Sequence, residues 1–151
     1  MKLWVETESA YSAGAAIKAK VAEMNAKVGK KILSRATRGV NELRNAELEV
    51  LKGQRSGRIY RKYPFKSSYT ASAPGEPPAR RTGNLRLHWN GEVKGGATGN
   101  GVEVTLQLES QESYAGYLEH GTRKMAPRPF VERIKEKASP GIKRIFEEPY
   151  S

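Results

Sequence analysis

A long stripe of apolar residues marks the first third of the chain. The stripe repeats every three or four positions between Ser12 and Leu51, at Ile17, Val21, Met24, Val28, Ile32, Ala36, Val40 and Leu43. That spacing places the apolar side chains on one side of an α-helix. Lys and Arg occupy much of the remaining surface, with few acids among them. The pattern predicts an amphipathic helix over residues 12–51, with a bend or break expected near Gly39.

Alternation of apolar and polar residues predicts strands farther along the chain. Leu85, Leu87 and Trp89 alternate with polar residues, and a longer alternation runs over residues 102–109. A glycine-rich turn over residues 95–101 separates the two segments. Region 85–120 is therefore expected to contain an antiparallel β-hairpin with one apolar face. Within it, residues 113–120 are compatible with either a third strand or a short helix.

Residues 129–148 have the helical spacing of a C-terminal helix. Pro129 suits the first turn because its φ is already close to the helical value, whereas Pro140 is expected to kink or split the helix. Two helices that each bury one stripe need a common surface, and the hairpin supplies it. We therefore expect an α+β fold in one domain spanning residues 1–151, with both helices packed on a small antiparallel sheet.

The segment between the first helix and the strands predicts a basic and proline-rich loop over residues 54–84. Its prolines at 74, 77 and 78 lack amide donors and bias their neighbours toward extended geometry. We expect a long, extended Pro-rich arm that makes few hydrogen bonds. Loops of this length within compact domains are usually functional or disordered, and the functional interpretation is preferred.

Composition narrows the class of protein. The 151 residues include 27 Lys and Arg against 16 Asp and Glu, a net charge of +11, which attracts polyanions or acidic protein surfaces. There is no Cys, so disulfides, thiolate metal sites and cysteine nucleophiles are excluded. The sequence has neither an apolar run long enough to cross a bilayer nor the charged-then-apolar start of a signal peptide. We expect no membrane partner.

Candidate catalytic residues are scarce. The two histidines, His88 and His120, do not stand at a spacing that brings two metal ligands together. The sequence has no phosphate-binding glycine loop and no serine-hydrolase motif. We therefore expect no enzyme activity, no cofactor and no metal.

Charge is distributed unevenly along the chain. Residues 52–86 carry one acid, Glu76, and many cations interleaved with tyrosines. The candidates for facing either DNA or an acidic partner are Arg55, Arg58, Arg61, Lys62, Arg80 and Arg81. The acids Glu103, Glu109, Glu112 and Glu119 lie in a stretch without Lys or Arg. Opposite charge in different regions of one chain suits head-to-tail packing of subunits.

Two stretches carry a resemblance to a known family. They read TASAPGEPPARRTGNL at residues 70–85 and YAGYLEHGTRKMAPRPF at residues 114–130. Both resemble the tail-completion, or head-to-tail joining, proteins of long-tailed bacteriophages, in which a similar arm follows a long helix and a similar second motif precedes a terminal helix. The first helix and the glycine-rich hairpin resemble that family only in architecture.

The resemblance implies a structural virion protein of the phage neck. It implies a homo-oligomeric ring, expected to be a hexamer, that surrounds the DNA channel. A head-closure or connector protein would lie on one side and a tail terminator or tail tube on the other, after assembly in the host bacterial cytoplasm. The alternatives are a basic nucleic-acid-binding accessory protein and, with no acidic metal cluster to support it, a nuclease.

The first stretch is expected to supply the subunit interface. A proline-rich arm has already lost much of its conformational freedom, so ordering it on a neighbour costs less entropy than ordering a flexible loop. The candidate interface residues are Pro74, Gly75, Glu76, Pro77, Pro78, Thr82, Gly83 and Leu85. The alternative is a rigid loop packed on its own domain, and in either case Gly83 is expected to form a turn.

The second stretch is expected to be structural. Tyr114, Tyr117 and Leu118 are interpreted as core more readily than as interface. Gly121 and Thr122 are expected to form a turn that leads into the last helix. The residues entering that helix are Pro127, Arg128, Pro129 and Phe130. In this prediction Phe130 anchors the helix in the core and Arg128 pairs with an acid such as Glu119.

Overall fold

The computed structural model describes residues 11–98 and 101–149, and it confirms the predicted α+β class. The elements in chain order are α1 (Tyr11–Lys52), β1 (Ile59–Arg61), β2 (Ser68–Thr70), α2 (Asn84–Leu87), β3 (Trp89–Thr98), β4 (Gly101–Ser110), α3 (Ala115–His120) and α4 (Val131–Glu147). Within the described ranges, α1 packs against α4 on one side and against the β3–β4 hairpin on another. The first ten residues, for which no signal peptide was expected, and the tip of the glycine-rich turn at residues 99–100 lie outside the described residues.

Helix α1 continues through Gly39, so the break expected there is wrong. Gly39 is buried, and a Cβ atom at this position would overlap the side chain of Leu106 on β4. The missing side chain therefore allows α1 and β4 to approach closely. That close packing offsets the intrinsic cost of a glycine within a helix.

Strands β3 and β4 form the predicted antiparallel hairpin, in a register that runs from Trp89↔Ser110 to Thr98↔Gly101. Two details differ from the expectation. Residues 84–87 form a single helical turn, α2, which follows Gly83 at a φ of 96°, a value that side-chain-bearing residues rarely adopt. In addition, Gly95 and Gly96 pair within β3 and do not belong to the turn.

The region expected to be loop contains a second, smaller hairpin. Strands β1 and β2 pair antiparallel, with Tyr60 opposite Tyr69, and their rings stack at a centroid distance of 5.9 Å. Residues 113–120, for which strand and helix were both open, include helix α3.

The core lies where α4 crosses the second half of α1. Its buried members are Ala46, Leu51, Phe130, Ile134 and Ala138. The ring of Phe130 is 1% exposed and meets the edge of Trp89 at a centroid distance of 6.1 Å. The core thus joins α1, α4 and the start of β3. Pro140 does not split α4, which runs on to Glu147.

Side chains remote in sequence satisfy both ends of α4. At its start the Glu119 carboxylate accepts the amide hydrogens of Phe130 and Val131, at 2.8 and 3.2 Å. At its end Arg35 of α1 donates to the carbonyls of Glu148 and Pro149, at 2.6 and 2.7 Å. A negative charge at the start of a helix and a positive one at its end complement the helix dipole and satisfy its unpaired backbone groups.

A charged cluster fastens α2 to α1. Arg44 pairs with the fully buried carboxylate of Glu47 and donates to the carbonyls of Arg86 and Leu87, at 3.0 and 3.2 Å. Burial raises the pKa of Glu47 to about 7, although Arg44 opposes the shift. This cluster fixes the chain between the Pro-rich segment and β3.

Replacing Phe130 tests the position of the core. We expect Phe130→Ala to lower the free energy of unfolding by about 3 kcal/mol or more, because a buried ring leaves a cavity when removed. Phe65→Ala is the matched control, since the Phe65 ring is 69% exposed and its loss is expected to change stability by no more than about 0.5 kcal/mol. Urea unfolding of both variants measures the difference, and equal losses would contradict the described core.

Candidate functional site

The two stretches that carry the family resemblance bind each other. Arg128 donates to both the backbone carbonyl and the hydroxyl of Ser72, the latter at 2.6 Å. The Gly75 amide donates to the carbonyl of Pro127 at 3.1 Å, and Arg133 donates to the carbonyl of Gly75 at 2.8 Å. We call this set of contacts the motif joint. Each stretch could be recognised in the sequence, but the contact between the two stretches could not be predicted from it.

The Pro-rich segment differs from the expected arm with few hydrogen bonds. Pro77 and Pro78 are buried, and a turn closes where the Glu76 amide donates to the carbonyl of Ala73 at 3.1 Å. Arg55 donates to the carbonyl of Pro78 at 3.2 Å. Proline removes donors and leaves its carbonyls as acceptors, so distant arginines bind the segment to its own fold.

Part of the expected interface nevertheless lies on the surface. Pro74, Gly75 and Thr82 are exposed, whereas Gly83 is buried and Leu85 is half-buried. The structure thus matches the alternative of a loop packed on its own domain for much of the segment. Contact of the remaining exposed positions with a neighbouring subunit stays a prediction.

Glu76 holds the Pro-rich segment to the chain that follows α1. Its carboxylate accepts the hydroxyl of Ser56 and the amides of Ser56 and Ala73, at 3.1 and 2.9 Å for the two amides. These hydrogen bonds, led by that of the Ser56 hydroxyl, lower the pKa of Glu76 to about 2. The one acid of residues 52–86 is therefore occupied by local contacts.

The predicted basic residues divide into two groups. Arg55 is half-buried and donates to the carbonyl of Val50 at 2.9 Å as well as to Pro78, and burial lowers its pKa. Its role is internal. The side chains that remain exposed are Arg58, Arg61, Arg80 and Arg81.

Two of the basic side chains lie over tyrosine rings. Arg58 stands 5.8 Å from the centroid of Tyr60, and the half-buried Lys62 stands 6.0 Å from that of Tyr69. Such contacts hold a cation beside an aromatic surface without neutralising its charge. The small β1–β2 hairpin therefore presents positive charge and aromatic rings together.

Sequence reasoning missed the apolar tip of this hairpin. Tyr63 and Phe65, in the loop between β1 and β2, are 90% and 69% exposed. Ile59, at the other end of β1 opposite Thr70, is 68% exposed. The signal available in the sequence was a run of large apolar residues with neither a helical nor an alternating period to bury them. We call residues 58–70, with this tip and its cations, the basic hairpin.

The second stretch departs from its predicted roles in two respects. Tyr117 is 64% exposed and Tyr114 is 39% exposed, which does not fit the interpretation of both as core. Leu118 does pack against the core. The pairing of Arg128 with Glu119 is wrong, because Arg128 binds Ser72 and Glu119 binds the start of α4.

The expected turn after α3 is present. Gly121 has a φ of 77°, and the backbones of Thr122 and Met125 exchange hydrogen bonds at 2.8 and 3.2 Å. The turn directs the chain from α3 toward Pro127 and the motif joint. It therefore helps to place the second stretch against the first.

Over residues 11–98 and 101–149, no cluster of three or more His, Cys, Asp or Glu is arranged to hold a metal ion. In the same ranges no helix is both long and apolar enough to span a membrane. No family model, curated protein or solved structure matches this chain. Its function is therefore inferred from its own residues and geometry.

Removing the Arg128 guanidinium tests the motif joint. We expect Arg128→Ala to lower the free energy of unfolding by about 1.5–3 kcal/mol, because it removes charge-assisted hydrogen bonds to Ser72. The control is Arg123→Ala, an exposed arginine in the preceding turn, for which a change within about 0.5 kcal/mol is expected. Equal effects in urea unfolding would show that the joint contributes nothing specific.

Glu76 gives the fold a dependence on acid pH. The folded-state pKa of about 2 lies below the ordinary value of 4.5, so the carboxylate stabilises the fold above the ordinary value and loses this effect as the pH falls toward the folded-state value. Glu76→Gln should therefore lower the melting temperature most near neutral pH, and the difference from the unaltered protein should shrink below about pH 4. Glu136→Gln, at an exposed position of α4, serves as the control. A difference that stays constant from pH 7 to pH 3 would contradict the role of the carboxylate.

Proposed function

We propose that this chain is a structural subunit of the neck of a tailed bacteriophage, where it joins the DNA-filled head to the tail. The observation that carries the proposal is the motif joint. The two stretches that resemble tail-completion proteins are separated in sequence by the 28 residues 86–113, yet they bind each other through Arg128 and Ser72. Two segments that serve one function are expected to contact each other in the fold. Two loops that resemble the family by chance have no reason to do so.

The proposed mechanism is binding, without a chemical step. A subunit that joins two larger structures needs surfaces left uncovered in the single chain. Large apolar side chains are exposed on three parts of the described surface, namely the first half of α1, the basic hairpin and the region of α2 and α3. Exposed apolar groups of this kind are typical of protein contacts.

The proposed arrangement is a ring, expected to be a hexamer, with the genome passing through its centre. A contact between two different surfaces of identical subunits closes into a ring when the rotation between neighbours permits it. A head-closure or connector protein would lie on one side and a tail terminator or tail tube on the other. Dispersed Lys and Arg would tolerate passing DNA without reading its bases.

A nucleic-acid-binding accessory protein is the second candidate. It is favoured by the exposed Arg58, Arg61, Arg80 and Arg81 and by the engagement of Glu76 in local hydrogen bonds. This candidate predicts submicromolar binding of short duplex DNA by the isolated protein, with an affinity that falls steeply as salt is raised. The neck proposal requires only weak, non-specific contact.

The test is a joining assay. Purified protein is added to DNA-filled heads and to isolated tails from a parent phage that lacks it, and joined particles are counted by electron microscopy. We expect the unaltered protein and Arg123→Ala to restore joining, and Arg128→Ala to restore it less well, because the joint positions the second stretch. The variants are compared at a temperature where circular dichroism shows each to be folded. Failure of the folded protein to join heads and tails, together with tight duplex binding, would favour the accessory-protein function.

A further inference from the structure

The basic hairpin is an apolar surface that lacks a cover in the single chain. Ile59, Tyr63 and Phe65 expose two thirds or more of their areas, 68%, 90% and 69%. Burying a large side chain of this kind contributes roughly 1.5–3 kcal/mol. Three side chains of this size left in water on one small hairpin point to a partner surface that removes them from it.

The charge of the hairpin restricts that partner. Arg58, Arg61 and Lys66 are exposed, and residues 52–75 contain no acid. Glu76 follows them, but its carboxylate is bound by Ser56 and Ala73. The partner surface must therefore combine apolar groups with carboxylates.

A surface with this composition exists elsewhere on the same chain. Leu87 is 58% exposed, and Tyr114 and Tyr117 are 39% and 64% exposed. The two tyrosines are three residues apart at α3, a spacing that brings side chains to the same side of a helix. A hydrogen bond between His88 and Glu112 holds the end of α2 beside the start of this segment. We call Leu87, Tyr114 and Tyr117 the tyrosine surface.

One exposed carboxylate, that of Glu109, stands five residues before Tyr114 in the chain. Glu109 pairs with Asn90, next to the last pair of β4. Glu112, two residues before Tyr114, is mostly buried and bound to His88. Residues 102–120 contain four acids and no Lys or Arg. The remaining two acids are placed elsewhere, with Glu119 at the start of α4 and Glu103 six residues before Glu109, about 20 Å along the strand.

We infer that the basic hairpin of one copy packs on the tyrosine surface of the next copy, with Arg58, Arg61 and Lys66 facing the exposed Glu109. The inference rests on the proposed function as a ring subunit and names the contact that builds the ring. The contact joins two different surfaces, so it is head-to-tail and leaves each copy with one of each surface for its neighbours. It replaces the Pro-rich segment as the main subunit contact, because that segment is bound to its own fold through Arg55, Arg128 and Arg133.

A second copy fits these observations better than nucleic acid does. Cations alone would suit a phosphate backbone, but Ile59 and Phe65 need an apolar partner, and the bases of a duplex are stacked inside it. Protein interfaces are enriched in aromatic residues and Arg, and their charged rims determine register and partner choice. The tyrosine surface supplies both the apolar and the negative groups.

The absence of cysteine makes the contact testable by cross-linking. Ser67 lies in the loop of the basic hairpin and Ser113 lies beside Tyr114, and both are exposed, so Ser67→Cys and Ser113→Cys are conservative changes. Mixing the two single variants under mild oxidation should give one mixed dimer, whereas each alone should give none. The double variant should give a ladder that ends at the closed ring. Ser67→Cys mixed with Ser139→Cys, an exposed position on α4, is the matched control.

A charge exchange tests the register of the contact. Arg61→Glu, introduced with Ser67→Cys, should lower the yield of the mixed dimer about tenfold, because like charges then face each other across the contact. Glu109→Lys on the Ser113→Cys partner should restore the yield. Loss of product in both combinations would overturn the proposed pairing of Arg61 with Glu109.

The cross-linking is carried out with the purified protein and again on joined particles. If heads and tails join but no mixed dimer forms in either setting, the contact is overturned and the neck function stands. If the mixed dimer forms but heads and tails do not join, the contact stands and the neck function is overturned. Two further results overturn the contact. One is equal cross-linking to Ser139→Cys. The other is that Tyr63→Ala and Phe65→Ala weaken the binding of duplex DNA, measured by fluorescence anisotropy, while the yield of the mixed dimer stays unchanged.

Discussion

Burial of the second half of the apolar stripe of α1 is the constraint on which the rest of the structure depends. The helix spans 42 residues, and its apolar residues from Ala36 to Leu51 are covered by α4 and the β3–β4 hairpin, whereas Ile17, Met24 and Val28 stay exposed. The close approach of α1 and β4 at Gly39 holds the hairpin against α1. The hydrogen bonds from Arg35 to the end of α4 hold α4 against the same helix.

The candidate functional surfaces take their positions from that core. Glu119 holds the start of α4, and the residues just before that point, Pro127 and Arg128, hold the Pro-rich segment through Gly75 and Ser72. The same segment lies between α1 and α2, which the buried Glu47 cluster fastens together. The basic hairpin is a separate element outside this set of contacts. Its apolar side chains stay exposed, whereas Pro77 and Pro78 of the Pro-rich segment are buried.

The sequence predicts the elements whose burial follows a regular period. Helices α1 and α4 and the β3–β4 hairpin each have one long apolar face, so their existence and type could be inferred. The alternation of Leu85 and Leu87 resembled a strand, but Gly83 turns the chain and a single helical turn results. Strands β1 and β2 have three residues each and no alternation to reveal them. The packing of the Pro-rich segment depends on donors more than 20 residues away, Arg55 and Arg128, and no local pattern reports such contacts.

The most direct test of a neck subunit is to find where it stands in the virion. A cryo-electron microscopy reconstruction of the neck of the parent phage, compared with particles that lack this protein, would locate it. We expect a closed ring of identical subunits between the head connector and the tail, each with the α1, α4 and hairpin arrangement described above. A neck with no density for this chain, or density for it elsewhere in the particle, would contradict the proposed neck function.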